Sequence, residues 1–367
     1  MSKSVMVLLY VLTACLLLAV PFAVASPEIT EEARMANQMT MDEDEDFAGD
    51  WDEDFEEDWE EDWEEDLSSL QAPQDNLRTR GGVQPLAVIA SAIYSDILPA
   101  AGVDALPVDL FTPGSTPIEE NYTENGYRDD TIIVEMEQRR MYDSDVYIAF
   151  VKIATPSQLR TAIAGKKMSS GSTNLTTTIS RAYNGIVAVN GDYYTKTKAG
   201  YIVRQGQTYR EKTSKNMDLL LIDELGDFHI ILHGHDRQAE GVQNFLSQHT
   251  LVNGFFFGPA LVKDGEVQKI PENYQFAAFS KNPRAGIAQL DVLTYAIVVV
   301  NGRTANSEGV RMEEFAQIMK EIGAQQAYNL DGGNSATLAF HGQVYNSKPQ
   351  DERSVTDIIY FASAIGE

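Results

Sequence analysis

Apolar positions along this chain recur mostly at the short period of strands. Ile132-Ile133-Val134-Glu135-Met136 and the run from Val146 to Ile153 are rich in β-branched and aromatic residues and read as strands. Leu219-Leu220-Leu221-Ile222 and Phe228 to Leu232 flank Glu224-Leu225-Gly226-Asp227 as hairpin arms flank a turn. Ile186 to Val189 and Leu293 to Val300 read as buried strands, ending in Asn190-Gly191-Asp192 and Asn301-Gly302-Arg303. A later strand reaches Asp331, Thr337 to Phe340 pairs with Gln343 to Tyr345 across His341-Gly342, and Val355 to Phe361 closes the domain. Helical spacing is rarer. Phe315, Ile318, Met319 and Ile322 keep it, with Gly323 placed to end the helix. Leu159 to Ala164 and Thr177 to Tyr183 are short helix candidates. Many strands with few helices between them predict an α+β fold, with a mixed β-sheet core and a few flanking helices in a single domain. No internal repeat is present.

The pattern ahead of this domain differs. Lys3 precedes an uncharged apolar run from Val5 to Val24, and Ala23-Val24-Ala25 before Ser26 has the small-residue form of a signal-peptidase site. Residues 1–25 therefore read first as a signal peptide and the protein as secreted or extracytoplasmic. An uncleaved membrane anchor and a lipoprotein box at Leu12-Thr13-Ala14-Cys15 are the alternatives. Cys15 is the one cysteine, so an intrachain disulfide is excluded.

Residues 26–66 form an acidic segment, and they carry much of the formal charge of −27. Like charges at this density favour an extended, solvated chain. Phe47, Trp51, Phe55, Trp59 and Trp63 recur within it every four residues. That spacing would gather the rings on one helical face once the acids were neutralised. The tract fails as an EF-hand loop, because Phe47 stands where the turn needs glycine. Nucleic acid is a poor partner for so acidic a chain. Residues 67–85 read as a linker and 86–367 as the main domain, with 86–130 an N-terminal arm.

Candidate chemistry concentrates in Tyr328-Asn329-Leu330-Asp331-Gly332-Gly333-Asn334-Ser335-Ala336-Thr337-Leu338. A carboxylate, two glycines, an amide and a hydroxyl interrupt two apolar runs. Taken alone, the stretch is either a tight turn between buried strands or a loop whose backbone lets a ligand approach. Strands ending at Asn190, Asn301 and Asp331 deliver three polar, glycine-containing turns, which predict one shared cleft at a sheet rim.

In order with Phe257-Gly258-Pro259-Ala260-Leu261, Asn282-Pro283-Arg284-Ala285-Gly286-Ile287 and Glu352-Arg353-Ser354-Val355, these turns resemble the phosphodiester glycosidase family over roughly residues 132–361. The resemblance implies a hydrolase that cleaves a sugar-1-phosphodiester to free sugar and phosphate monoester; no cofactor and no metal ligand are expected, and metal dependence is left open. Asp331 would be base or nucleophile and Asp192 its partner. Arg284, Arg303 and Arg353 would hold phosphate, since a guanidinium fork matches two phosphate oxygens. Asn190, Gly191, Gly332, Gly333, Asn334 and Ser335 would bind sugar hydroxyls or phosphate. Tyr193 and Tyr194 are candidates to stack on a sugar ring or to pack in the core. Given the export signal, a cell-envelope glycosyl-phosphate polymer is the expected substrate.

The chain departs from the family pattern at Asn334, at Asn301 before Gly-Arg, and in Ala285-Gly286-Ile287 after Arg284. A binding module of the same fold without catalysis, taking carbohydrate or a polyanion, is the competing reading. Gly333-Asn334-Ser335-Ala336-Thr337 fails as a serine-hydrolase elbow because threonine replaces the second glycine. His233-Gly234-His235 with Asp236 reads as polar surface along a strand or as a weak metal motif.

Overall fold

The computed structural model describes residues 107–365 except 197, 273, 275, 349 and 350. The signal-like run, the acidic segment, the linker and most of the N-terminal arm lie outside the described residues. Within them the chain folds into three main sheets and three α-helices: α1 (Thr176–Ala182), α2 (His235–Leu246) and α3 (Met312–Glu321).

The largest sheet has nine strands, with Ile132–Met141, Ser144–Ile153, Thr294–Val300, Arg284–Asp291 and Gln326–Leu330 side by side at its centre. Period two sorts their side chains. Val134, Tyr147, Ala149, Ile297, Val299, Ile287 and Tyr328 point into a core shared with the other sheets. Their neighbours Ile133, Ile148, Phe150, Val298, Val300 and Ala327 point the other way, onto Phe315, Ile318, Met319 and Ile322 of α3. Thr294–Val300 is buried at every position, because both faces are covered. Each such aliphatic side chain taken from water contributes roughly 1.5–3 kcal/mol.

The other two sheets are built alike. One has five strands, with Leu219–Asp223 between Phe228–Ile231 and Leu251–Phe255. It turns Leu220 and Ile222 to the shared core, and Leu219 and Leu221 towards Val242 and Phe245 of α2. The third sheet has Val187–Asn190 between Leu338–Phe340 and Asp357–Phe361. Val187 and Val189 face the shared core, while Ala188, Ile358 and Tyr360 face Ile179 of α1. A common core is thus enclosed by three sheets, each backed by one helix.

The α+β class holds. Within it every pairing between the strands is antiparallel, so the sheets are antiparallel where a mixed sheet was expected. Leu159 to Ala164 is also corrected, from helix to strand. Pro156–Gln158 makes a short 3₁₀ turn, and Leu159–Ile163 then pairs with Asp357–Phe361. All five residues of that strand are buried, so no alternation betrayed its period. Gly323 ends α3 with φ +93°, as its position after Ile322 predicts.

Candidate active site

Register brings the motif turns together. Arg284 pairs with Val300 and Ala285 with Leu330, so the ends leading to Arg284, Asn301 and Asp331 share one rim of the large sheet. Asn190 ends its strand in the third sheet opposite Ile358. The two sheets are stitched where these turns touch. Asn190 Nδ2 donates to the Asp331 carbonyl at 2.7 Å, and the Asp331 N–H donates to the Gly191 carbonyl at 3.3 Å. Asn190 Oδ1 accepts from the Thr337 N–H at 3.2 Å. Asn190 is fully buried, so its amide is a brace between turns and is closed to a sugar.

Asp331 stands above this brace, partly open to solvent. Burial pushes its carboxyl above the ordinary value, against the Ser335 hydroxyl, the Arg353 guanidinium and the Gly332 N–H, which favour the charged form. Ser335 is itself buried, so it serves Asp331 from beneath. The glycines are sterically required here. A Cβ on Gly332 would sit 2.8 Å from the Pro283 carbonyl oxygen, and Gly333 has φ +57°.

Cations gather around the turn. Arg353 lies with its guanidinium 5.6 Å from the Tyr193 ring centroid and acts electrostatically on Asp331. Arg303 is exposed and donates to Asn334 Oδ1 at 3.0 Å and to Asn282 Oδ1 at 3.2 Å. Lys348, which sequence reasoning missed, donates at 2.8 Å both to the Asn334 carbonyl and to Thr337 Oγ1. Burial brings its ammonium down to about 8, while Glu352 opposes the shift. A lone lysine amid Asn-Ser-Lys-Pro carries no motif that could have marked it.

Two expected ligand contacts are occupied by the protein itself. Arg284 is buried. Its Nη2 donates to the Ala277 and Ser280 carbonyls at 2.8 and 2.9 Å, and its Nε to the Val310 carbonyl at 3.1 Å. Burial lowers it to about 10, Tyr274 opposes, and Arg303 adds to the lowering. Its guanidinium clamps the 276–280 loop beside the site. Asp192 is sealed too. Its Oδ1 meets Arg204 Nη2 at 2.5 Å, and its Oδ2 accepts the Phe256 N–H at 2.9 Å.

Arg204 is the second residue that the sequence concealed. Fully buried, it bonds Asp357 through Nε at 2.7 Å as well as Asp192, and lies 4.0 Å from the Phe255 ring centroid. Burial disfavours its charge, but the two carboxylates outweigh burial and raise its pKa. Burial raises Asp357, with Arg204 pulling the other way. The triad also explains Gly191, where a Cβ would sit 2.4 Å from Asp357 Oδ2. The tyrosines divide between the two layers: Tyr194 is buried and donates to the Met168 carbonyl at 3.2 Å, whereas Tyr193 remains part exposed under Arg353.

His233 and Asp236 do not share a strand with His235. Gly234 has φ +112°, His235 opens α2, and His233 Nδ1 lies 2.9 Å from Asp218 Oδ1.

Residues 183–362 match the family model described as phosphodiester glycosidase. Among solved structures, the chain is similar to the zebrafish N-acetylglucosamine-1-phosphodiester alpha-N-acetylglucosaminidase catalytic domain, auto-inhibited by its pro-peptide. The likeness covers 68% of this chain and 87% of that one, at 16% identity and a TM-score of 0.51. It shows the fold. A hypothetical protein from Synechocystis aligns over 63% of this chain and 62% of its own at 19% identity, with a TM-score of 0.44. The SPbeta prophage-derived uncharacterized protein YomE of Bacillus subtilis is 32% identical over 112 residues, which are 29% of this chain and 17% of that protein. This chain thus spans less than a fifth of that relative.

Proposed function

From a domain of the phosphodiester glycosidase family and fold, we propose a hydrolase that splits sugar-1-phosphodiesters outside the cytoplasmic membrane, with a cell-envelope polymer as its natural substrate. In this reading water adds to the anomeric carbon as the bond from that carbon to the phosphate oxygen breaks. The sugar leaves with a new hydroxyl, and the oxygen stays on a phosphate monoester. That leaving group is already a stable anion, so the step asks little of a general acid and much of cations on the phosphate.

The observation that carries the proposal is Asp331, a carboxyl raised by burial on a partly open turn, faced by Arg353 and neighboured by Arg303 and Lys348. A base held above the ordinary carboxylate range accepts a proton from attacking water more readily. Asp331 is therefore assigned the base or nucleophile role, with Arg303, Arg353 and Lys348 on the phosphate and Tyr193 against the sugar. Asp192, committed to Arg204, supports the turn from below.

The test is hydrolysis of N-acetylglucosamine-1-phosphodiester and a panel of other sugar-1-phosphodiesters by the full chain. Release of free sugar and phosphate monoester by wild type but not by Asp331→Asn is the expected result. Equal release by both would remove Asp331 from the mechanism. No release by a folded wild type would favour a binding module. Recovery of a chain that begins at Ser26 outside the membrane would support export, and retention inside would reject it.

A further inference from the structure

The tip of the hairpin formed by Leu219–Asp223 and Phe228–Ile231 holds a cluster that the proposed chemistry does not use. Asp223 is the last residue of its strand, and its side chain is fully buried. His229 Nε2 lies 2.8 Å and His249 Nδ1 3.0 Å from the same atom, Asp223 Oδ2. The other carboxylate oxygen is held by the backbone N–H groups of Leu225 and Asp227, both at 2.9 Å. One oxygen thus receives two imidazole nitrogens, while its partner oxygen fixes the direction in which it points.

We propose that Asp223, His229 and His249 bind a divalent transition-metal ion, of which zinc is the representative. Their ligand atoms all lie within 4.8 Å of one another. A tetrahedral zinc ion with bonds of about 2.0–2.1 Å keeps its ligand atoms roughly 3.3 Å apart. The observed 2.8 and 3.0 Å would open by a few tenths of an ångström, and the two nitrogens, within 4.8 Å of each other, would settle at the same spacing. Two imidazoles with one carboxylate suit zinc, nickel or copper better than calcium or magnesium, which prefer oxygen alone. The bonds from Leu225 and Asp227 supply the outer support that orients a ligating carboxylate.

The surroundings fit a site with one side closed. The Phe245 ring of α2 packs edge-on to His229 at 5.0 Å and stacks on His249 at 5.3 Å between centroids. Both histidines keep about a third of their side chains exposed, 32% and 27%, which leaves room for water to complete the coordination. On binding, the hydrogen on each facing nitrogen gives way to the ion and the far ring nitrogen carries one instead.

The three ligands come from one strand end, the strand that returns beside it, and the segment following α2. A cation there ties the hairpin to the helix that backs its sheet. None of the three ligands bonds a residue of the Asp331 turn, and Asp223 ends its strand opposite Leu251, whereas Asp192 bonds Phe256 beyond the other end of that neighbouring strand.

The test uses the full chain with cobalt(II) as spectroscopic probe and zinc(II) in thermal melts. Wild type should take up one cobalt ion per chain with the visible absorption of a low-coordinate nitrogen and oxygen site. Zinc should raise its melting temperature by several degrees. His229→Gln and His249→Gln should each lose the band and the thermal shift, while His235→Gln keeps both. Absence of a saturable band in wild type overturns the site. So does a band that survives in both histidine variants, since the ion would then sit elsewhere, for instance on the acidic segment. Turnover of sugar-1-phosphodiesters is untouched by either result.

Discussion

The Asp331 turn and the Arg204 triad draw on the same residue types and meet where the Asp331 N–H bonds the Gly191 carbonyl, and burial gives them opposite tasks. In the triad one arginine is enclosed with Asp192 and Asp357, every charge is answered by a partner, and no side-chain surface worth the name reaches water. At the turn Asp331 is held by a hydroxyl and one N–H and feels the Arg353 charge, its carboxyl is partly open to solvent, and Arg303 is exposed. A charge fully answered by its own protein has nothing left for a ligand. The difference teaches that the motif aspartates cannot be ranked by sequence position, because Asn190-Gly191-Asp192 and Asp331-Gly332-Gly333 look equally chemical until pairing is seen.

The sharpest way to break this comparison is Arg204→Met. Removing one member of a buried ionic group leaves carboxylates unanswered, at a cost of roughly 3–5 kcal/mol. Denaturant unfolding should show a large loss of stability, and an unchanged midpoint would mean that the triad is no scaffold. Asp331→Asn should do the reverse, lowering kcat by about 10²–10⁴-fold in the sugar-1-phosphodiester assay. Its stability should hold or improve. The Asp331 carboxyl is raised in the folded state, so its contribution is lost as pH climbs from the ordinary value through the raised one, and the amide escapes that loss at neutral pH. A marked fall in the melting temperature of this variant at pH 7 would place Asp331 with the scaffold.

Arg284→Lys discriminates more finely. The bonds from Arg284 to Ala277, Ser280 and Val310 need a fork, so lysine should cost about 1–3 kcal/mol of stability while KM for a phosphodiester changes little. A selective rise in KM with unchanged stability would return Arg284 to the phosphate. The smallest effect is expected at Lys348. Its ammonium titrates near 8, so the KM for an anionic diester should rise a few-fold as pH passes that value. Lys348→Gln should remove that dependence, and a dependence near 8 that persists in the variant would assign it to another group.

Much of the fold was legible along the chain because β-branched and aromatic runs and helical spacing are local signals of buried elements. Ile132 to Met136 and Val146 to Ile153 declared themselves by their β-branched and aromatic residues, and Phe315 to Ile322 by helical spacing. Leu159–Ile163 did not, since it is buried at all five positions and so shows no alternation, and Leu-Arg-Thr-Ala-Ile is too short and too mixed to carry a β-branched and aromatic run in its place. The site followed a similar division. Glycines at 191, 332 and 333 marked turns in which a side chain cannot fit, and the apolar runs before Asn190, Asn301 and Asp331 foretold that these turns end strands.

Sequence alone determined most of the segments that become strands and helices, Leu159–Ile163 apart, and which turns carry polar groups, because residue type, spacing and glycine placement act within a few residues. Only the tertiary structure decided which charges are spent. Arg204 finds Asp192 at 12 residues' separation and Asp357 at 153, and Asp223 is brought to His249 by the return of the chain past α2. Such pairings depend on sheet register and on exclusion of water from particular side chains, and neither quantity is written in any short stretch of sequence.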